Sequence, residues 1–101
     1  ISYPDAPTNI RTYPNKDDYE NEIIRLSVGN EVNCSADGNP MVNYDWYGIT
    51  DPNHIIIGNV LTTDVGMITG NVISYRCRAY NIINGVDREA NINVTLYGMG
   101  K

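Results

Sequence analysis

Residues 75–94 read YRCRAYNIINGVDREANINV, a stretch that can be registered with no other information. Asn84-Gly85 takes the positive φ angles of a two-residue type I′ turn with little strain, so the residues flanking it form a hairpin. Ile83 then faces Val86, and counting outward pairs Ala79 with Ala90, Cys77 with Ile92 and Tyr75 with Val94. Each of these pairs is apolar on both strands. The alternate positions pair Tyr80 with Glu89, Arg78 with Asn91 and Arg76 with Asn93, a polar set. A slip of one residue would turn every apolar side chain outward, so the pattern itself specifies the register. The stretch is an antiparallel pair with one buried face, which carries Cys77, and one solvated face.

Outward from this hairpin the chain keeps the same character. Helical periodicity never lasts three turns, while short alternating segments recur between Gly, Asn, Asp and Pro clusters, the layout of an all-β domain. Leu26 to Gly29 leads into a strand over Glu31–Ala36, which places Val32, Cys34 and Ala36 on one face and ends at a turn over Asp37-Gly38-Asn39-Pro40. Val42, Tyr44 and Trp46 alternate inward on the next strand, leaving Asn43, Asp45 and Tyr47 outward. Asp51-Pro52-Asn53 reads as a turn and Ile55–Ile57 as a short strand. Thr63, Val65 and Ile68 are expected to supply the apolar side of the strand after Gly58-Asn59. Pro4-Asp5-Ala6-Pro7, short of two amide donors, reads as a stiff lead-in to an edge strand near Asn9–Tyr13, and Pro14–Asn21 as a polar loop.

At 101 residues the chain is one domain's length. A formal charge of −5 with seven Lys and Arg offers no basic field for nucleic acid or an anionic membrane surface. The longest apolar run, Ile55–Ile57, is far below the roughly 20 residues that span a bilayer, so no direct membrane insertion is expected. No charged-then-apolar leader opens the chain, the pattern of a mature segment whose anchor lies elsewhere. Catalysis needs converging acid, base or nucleophile, and neither HExxH nor GxSxG is present; the expectation is a protein that is not an enzyme. His54 reads as a solvated loop residue. Asp17, Asp18, Glu20 and Glu22 form an acidic stretch without the loop spacing of a hard-cation site. No cofactor and no metal are implied.

Two cysteines far apart in a strand-rich chain are either a bridge or two buried thiols, according to compartment. Both fall on inward positions, and Trp46 stands inward on a strand between them in sequence. This order of Cys34, Trp46 and Tyr75-Arg76-Cys77 resembles the immunoglobulin superfamily. Residues 34–40 and 44–46 are similar to I-set and C2-set domains of carcinoembryonic-antigen-related and nephrin or Kirre-type adhesion proteins. The Tyr3–Pro7 opening and the Val94–Gly98 ending are similar to inter-domain junctions of such arrays. The resemblance implies an immunoglobulin-like two-sheet Greek-key sandwich over residues 8–97, with a lead-in at 1–7 and a tail at 98–101. It also implies a Cys34–Cys77 disulfide, Trp46 packed on it, a Tyr75 hydroxyl bonded to upstream backbone, and an extracellular location. One departure stands out: Asn71 and Ile73 replace the usual carboxylate and glycine before Tyr75, which removes the customary Asp-to-Arg ion pair. The Cys34–Cys77 span leaves little room for the extra strands of a variable-type domain. Fibronectin type III, the main rival fold, has no inter-sheet cystine.

The resemblance further implies a protein partner, the same or another cell-surface molecule. Asp45, Tyr47, Arg76, Arg78, Tyr80 and Glu89 share the outward face, and Tyr and Arg are enriched at binding hot spots. The competing reading is that they form cross-strand ion and aromatic pairs that solubilise a sheet. A spacer between other domains and a soluble decoy receptor are the alternative functions. Two N-x-S/T acceptors, at Asn33 and Asn93, both point outward. Asn93 is the better candidate, because Cys34 at the middle of the first tripeptide requires glycan addition before any bridge closes.

Overall fold

A computed structural model describes residues 3–27, 29–49, 55–62 and 72–99. Eight strands occupy them: β1 Asp5–Tyr13, β2 Ile23–Ser27, β3 Glu31–Asn39, β4 Asn43–Gly48, β5 Ile55–Ile57, β6 Val60–Thr62, β7 Val72–Ile83 and β8 Val86–Met99. They form two sheets, a three-stranded one in the order β1-β3-β6 and a five-stranded one in the order β2-β8-β7-β4-β5. The β7–β8 hairpin has the register read from its turn, Ile83 opposite Val86 and Cys77 opposite Ile92. Asn84 and Gly85 take φ of 53° and 78°, the left-handed values that this turn requires.

The sheets pack face to face over one core. Val32 and Cys34 of β3 and Leu61 of β6 meet Ile24, Leu26, Trp46, Tyr75, Cys77, Val94 and Leu96 of the larger sheet, all of them buried. A disulfide joins Cys34 to Cys77 across the core, with Cα atoms 6.6 Å apart. Trp46 lies directly across from Cys77 in the β4–β7 ladder and is fully buried. Polar ties cross between the sheets as well. The Tyr44 hydroxyl accepts the Ala36 amide at 2.9 Å and donates to the Ala36 carbonyl at 3.2 Å. At the hairpin end, the buried Asn81 donates from Nδ2 to the carbonyls of Asp5 at 2.8 Å and Pro40 at 3.1 Å. Such bonds orient one sheet on the other, which apolar contact alone does not do.

Strand pairing reaches further than the sequence pattern indicates. β1 begins at Asp5, within the expected lead-in, because Pro7 falls in the register shift between Asp5 and Thr8, where no ladder bond is asked of it. Asn9, at φ 53°, absorbs the irregularity before the next paired residue, Arg11. Pairing of Asp5 with Asn39 and Thr8 with Asp37 extends β3 through the expected turn at Asp37–Asn39. β2 is a strand in its own right, parallel to β8, and this pairing carries β8 to Met99, into the expected tail. Residues 14–22 hold two 3-10 turns, the first capped by Asn15 Oδ1 on the Asp17 amide at 2.9 Å. The expected turn at Asp51–Asn53, the apolar positions Thr63, Val65 and Ile68, His54 and Asn71 lie outside the described residues.

Candidate protein-binding face

The outward face of the larger sheet is built in rows across the strands. One row runs Ile55, Tyr47, Arg76, Asn93; the next runs Ile57, Asp45, Arg78, Asn91; a third runs Asn43, Tyr80, Glu89. All six residues singled out as a candidate partner-binding set therefore share this face, because each occupies an outward position in a ladder whose inward positions are Cys77, Ala79 and Trp46.

The two arginines are held in place by their neighbours. Arg78 donates to Glu89 at 2.9 Å and to Asp45 at 3.5 Å, and its guanidinium lies 4.1 Å from the Tyr80 ring centroid. Arg76 donates from Nε to Asn93 Oδ1 at 2.7 Å and from Nη1 to the Tyr47 hydroxyl at 3.3 Å, and it sits 5.8 Å from the Tyr47 ring. A third cation lies over an aromatic ring where Arg25 of β2 faces Tyr97 of β8, at 5.7 Å. Burial opposes the charge on Arg78 most strongly, but the hydrogen bonds and attraction of Glu89 and Asp45 outweigh it and hold its pKa above the ordinary arginine value. Arg78 is thus a fixed cation. Asp45 keeps Oδ1 buried with no hydrogen-bond partner among the described residues, where Arg78 is its main compensation.

Asp45, Tyr47, Ile55 and Arg78 line a depression of about 270 Å³. Ile55 and Ile57 belong to this face as well, although in sequence they read only as strand. Ile57 is 82 % exposed and Ile55 55 %, whereas Ile56 between them packs against the core. The missed signal was position: β5 follows β4 as the last strand of its sheet, so alternation alone puts two isoleucines in solvent at its edge.

The two glycosylation candidates stand on opposite sides of the sandwich. Asn93 lies on the larger sheet, its carboxamide oxygen held by Arg76. Asn33 lies on β3, directly across from Tyr13 of β1. The acidic stretch is occupied in local pairing, with Lys16 3.6 Å from Glu22, and among the described residues no three metal-ligating side chains converge. Also among the described residues, no helix is long and apolar enough to cross a membrane. The chain matches no protein-family model and no curated protein.

Proposed function

We propose that this chain is an extracellular immunoglobulin-type domain of the I-set or C2-set kind that binds a protein partner through the outward face of its larger sheet. The two-sheet arrangement, the inter-sheet disulfide and Trp46 opposite Cys77 support the class. The observation that carries the binding reading is the array itself. Tyr47, Arg76 and Arg78 are already locked by cross-strand contacts, and Tyr80 lies against Arg78 of its own strand, with exposed isoleucines beside them. Side chains ordered in advance lose less entropy on association, so this face is prepared for contact in a way that scattered surface residues are not. Its charges also cancel: Arg76 and Arg78 against Asp45 and Glu89, on a chain whose formal charge is −5. The test is staining of cells from the encoding organism with a fluorescent multimer of the domain, alongside sedimentation velocity for self-association. Tyr80→Ala and Arg78→Glu are each expected to weaken binding about tenfold or more, as interface anchors do, while Tyr13→Ala on the other sheet leaves it intact. Unchanged binding in both variants would remove this face.

A spacer role is favoured by a different observation. The chain enters beside the β7–β8 turn, where Asn81 holds Asp5, and β8 leaves at the opposite end of a domain 51 Å long. In a tandem array this geometry would set neighbouring domains end to end. A longer protein that retains full binding after deletion of this domain would favour the spacer.

A further inference from the structure

We infer that Asn33, not Asn93, carries an N-linked glycan, and that its first sugar packs on the exposed ring of Tyr13. The inference rests on the extracellular reading, since the sugar donor is met along the secretory route. Three observations favour Asn33. First, its carboxamide has no hydrogen-bond partner among the described residues, whereas that of Asn93 accepts Arg76 at 2.7 Å and is part of the ordered array. Second, Tyr13 is the direct cross-strand partner of Asn33 and is 77 % exposed, on the face away from the core. Opposed side chains in an antiparallel pair have Cβ atoms about 5 Å apart, within reach of a sugar on Nδ2. Third, Arg11, Thr12, Tyr13, Asn15, Asn33 and Ser35 line a depression of about 330 Å³ beside the amide. The C–H face of a pyranose covers an aromatic ring as another apolar group would, and so gives the otherwise solvated Tyr13 a partner.

The central Cys34 of the tripeptide is compatible with this order of events. Its bridge partner Cys77 lies 43 residues further on. At about 5–20 residues per second, synthesis leaves roughly 2–9 s in which Asn33 has emerged into the lumen and Cys77 has not. In that interval the acceptor is an extended, unbridged chain. Transfer joins Asn33 Nδ2 to the anomeric carbon of a lipid-pyrophosphate-linked oligosaccharide. The bond from that carbon to the pyrophosphate oxygen breaks, Nδ2 gives up one proton, and the lipid pyrophosphate leaves. The glycan would then occupy the three-stranded sheet and leave the Tyr- and Arg-bearing face of the other sheet open.

The test is secretion of the full chain from insect or mammalian cells, followed by enzymatic glycan release in heavy-oxygen water, which marks the occupied Asn as a labelled Asp. The label is expected on Asn33, lost in Asn33→Gln and in Ser35→Ala, and kept in Asn93→Gln. Label on Asn93 alone, or an unmodified chain with its Cys34–Cys77 bridge formed, overturns the assignment. For the packing on Tyr13, the secreted chain is compared with the same chain made in the bacterial periplasm, where the bridge forms without the glycan. The glycan is expected to raise Tm by about 4 °C, and this gain should vanish in Tyr13→Ala. An equal gain in both overturns the packing. Cell binding is measured on the same material: a bridged, binding chain with bare Asn33 sinks only the glycan, whereas an occupied Asn33 on a chain that binds nothing upholds it.

Discussion

The indole N–H of Trp46 donates to the backbone carbonyl of Asn59 at 3.0 Å, and that carbonyl also accepts the amide of Cys34 at 2.8 Å. One oxygen thus joins the disulfide strand of the smaller sheet to the buried tryptophan of the larger. Trp46→Phe removes the donor and part of the volume but does not orphan the carbonyl, so a loss of about 1–2 kcal/mol is expected. Trp46→Ala also opens a cavity and is expected to cost about 3–5 kcal/mol, most of a small domain's stability. Denaturant titrations with an unchanged m-value would read both.

The disulfide closes a 43-residue span. Restricting an unfolded chain over that span is worth about 4 kcal/mol in the entropy model. Cys34→Ala with Cys77→Ala should therefore leave a domain that is unfolded or nearly so at ambient temperature. Reduction that leaves Tm where it was would contradict this.

Gly38 stands in β3 where space, not backbone freedom, requires glycine. A Cβ there would lie 2.7 Å from Val42 Cγ2, 3.2 Å from Asn81 Nδ2 and 3.4 Å from the Asp5 carbonyl. Gly38→Ala is expected to cost about 1–3 kcal/mol by overpacking and by pushing Asn81 from the bonds that hold β1. Adding Val42→Ala should return part of the loss, an interaction that a double-mutant cycle measures directly.

Arg78 compensates Asp45, whose side chain is 15 % exposed. Arg78→Met is expected to destabilise by about 1–2 kcal/mol, less than for a fully buried pair because solvent screens this one, and by clearly less in an Asp45→Asn background. Equal losses in both backgrounds would separate the two residues energetically. Because the folded-state pKa of Arg78 is raised, its contribution is complete below the unfolded-state value and is lost only as pH climbs through the folded value. Stability changes across the neutral range should therefore not trace to Arg78.

The middle of the larger sheet, β4, β7 and β8, was legible because its information is local. Asn84-Gly85 registers β7 on β8, and alternation from Val42 to Tyr47 places Asp45 and Tyr47 beside the arginines. What escaped the sequence depends on distant partners. β2 is a five-residue strand only because β8 lies parallel to it, and parallel pairing leaves no turn signal between its members. Exposure of Ile55 and Ile57 follows from β5 being an edge, a property of the whole sheet. The neighbours that distinguish the two candidate glycan acceptors, Arg76 at Asn93 and Tyr13 at Asn33, are likewise distant in sequence from the asparagine they face.

Because β1 is held at one end of the sandwich and β8 runs out at the other, tension between the chain's two ends would load both strands along their lengths. β1 would slide against β3, and β8 against its neighbours β2 and β7, so whole ladders would bear the force together rather than opening one rung at a time. The Cys34–Cys77 link then acts as a stop on extension. It withholds 43 residues, about 150 Å of contour, from any stretched state. Redox state would set how far one such domain lengthens under load.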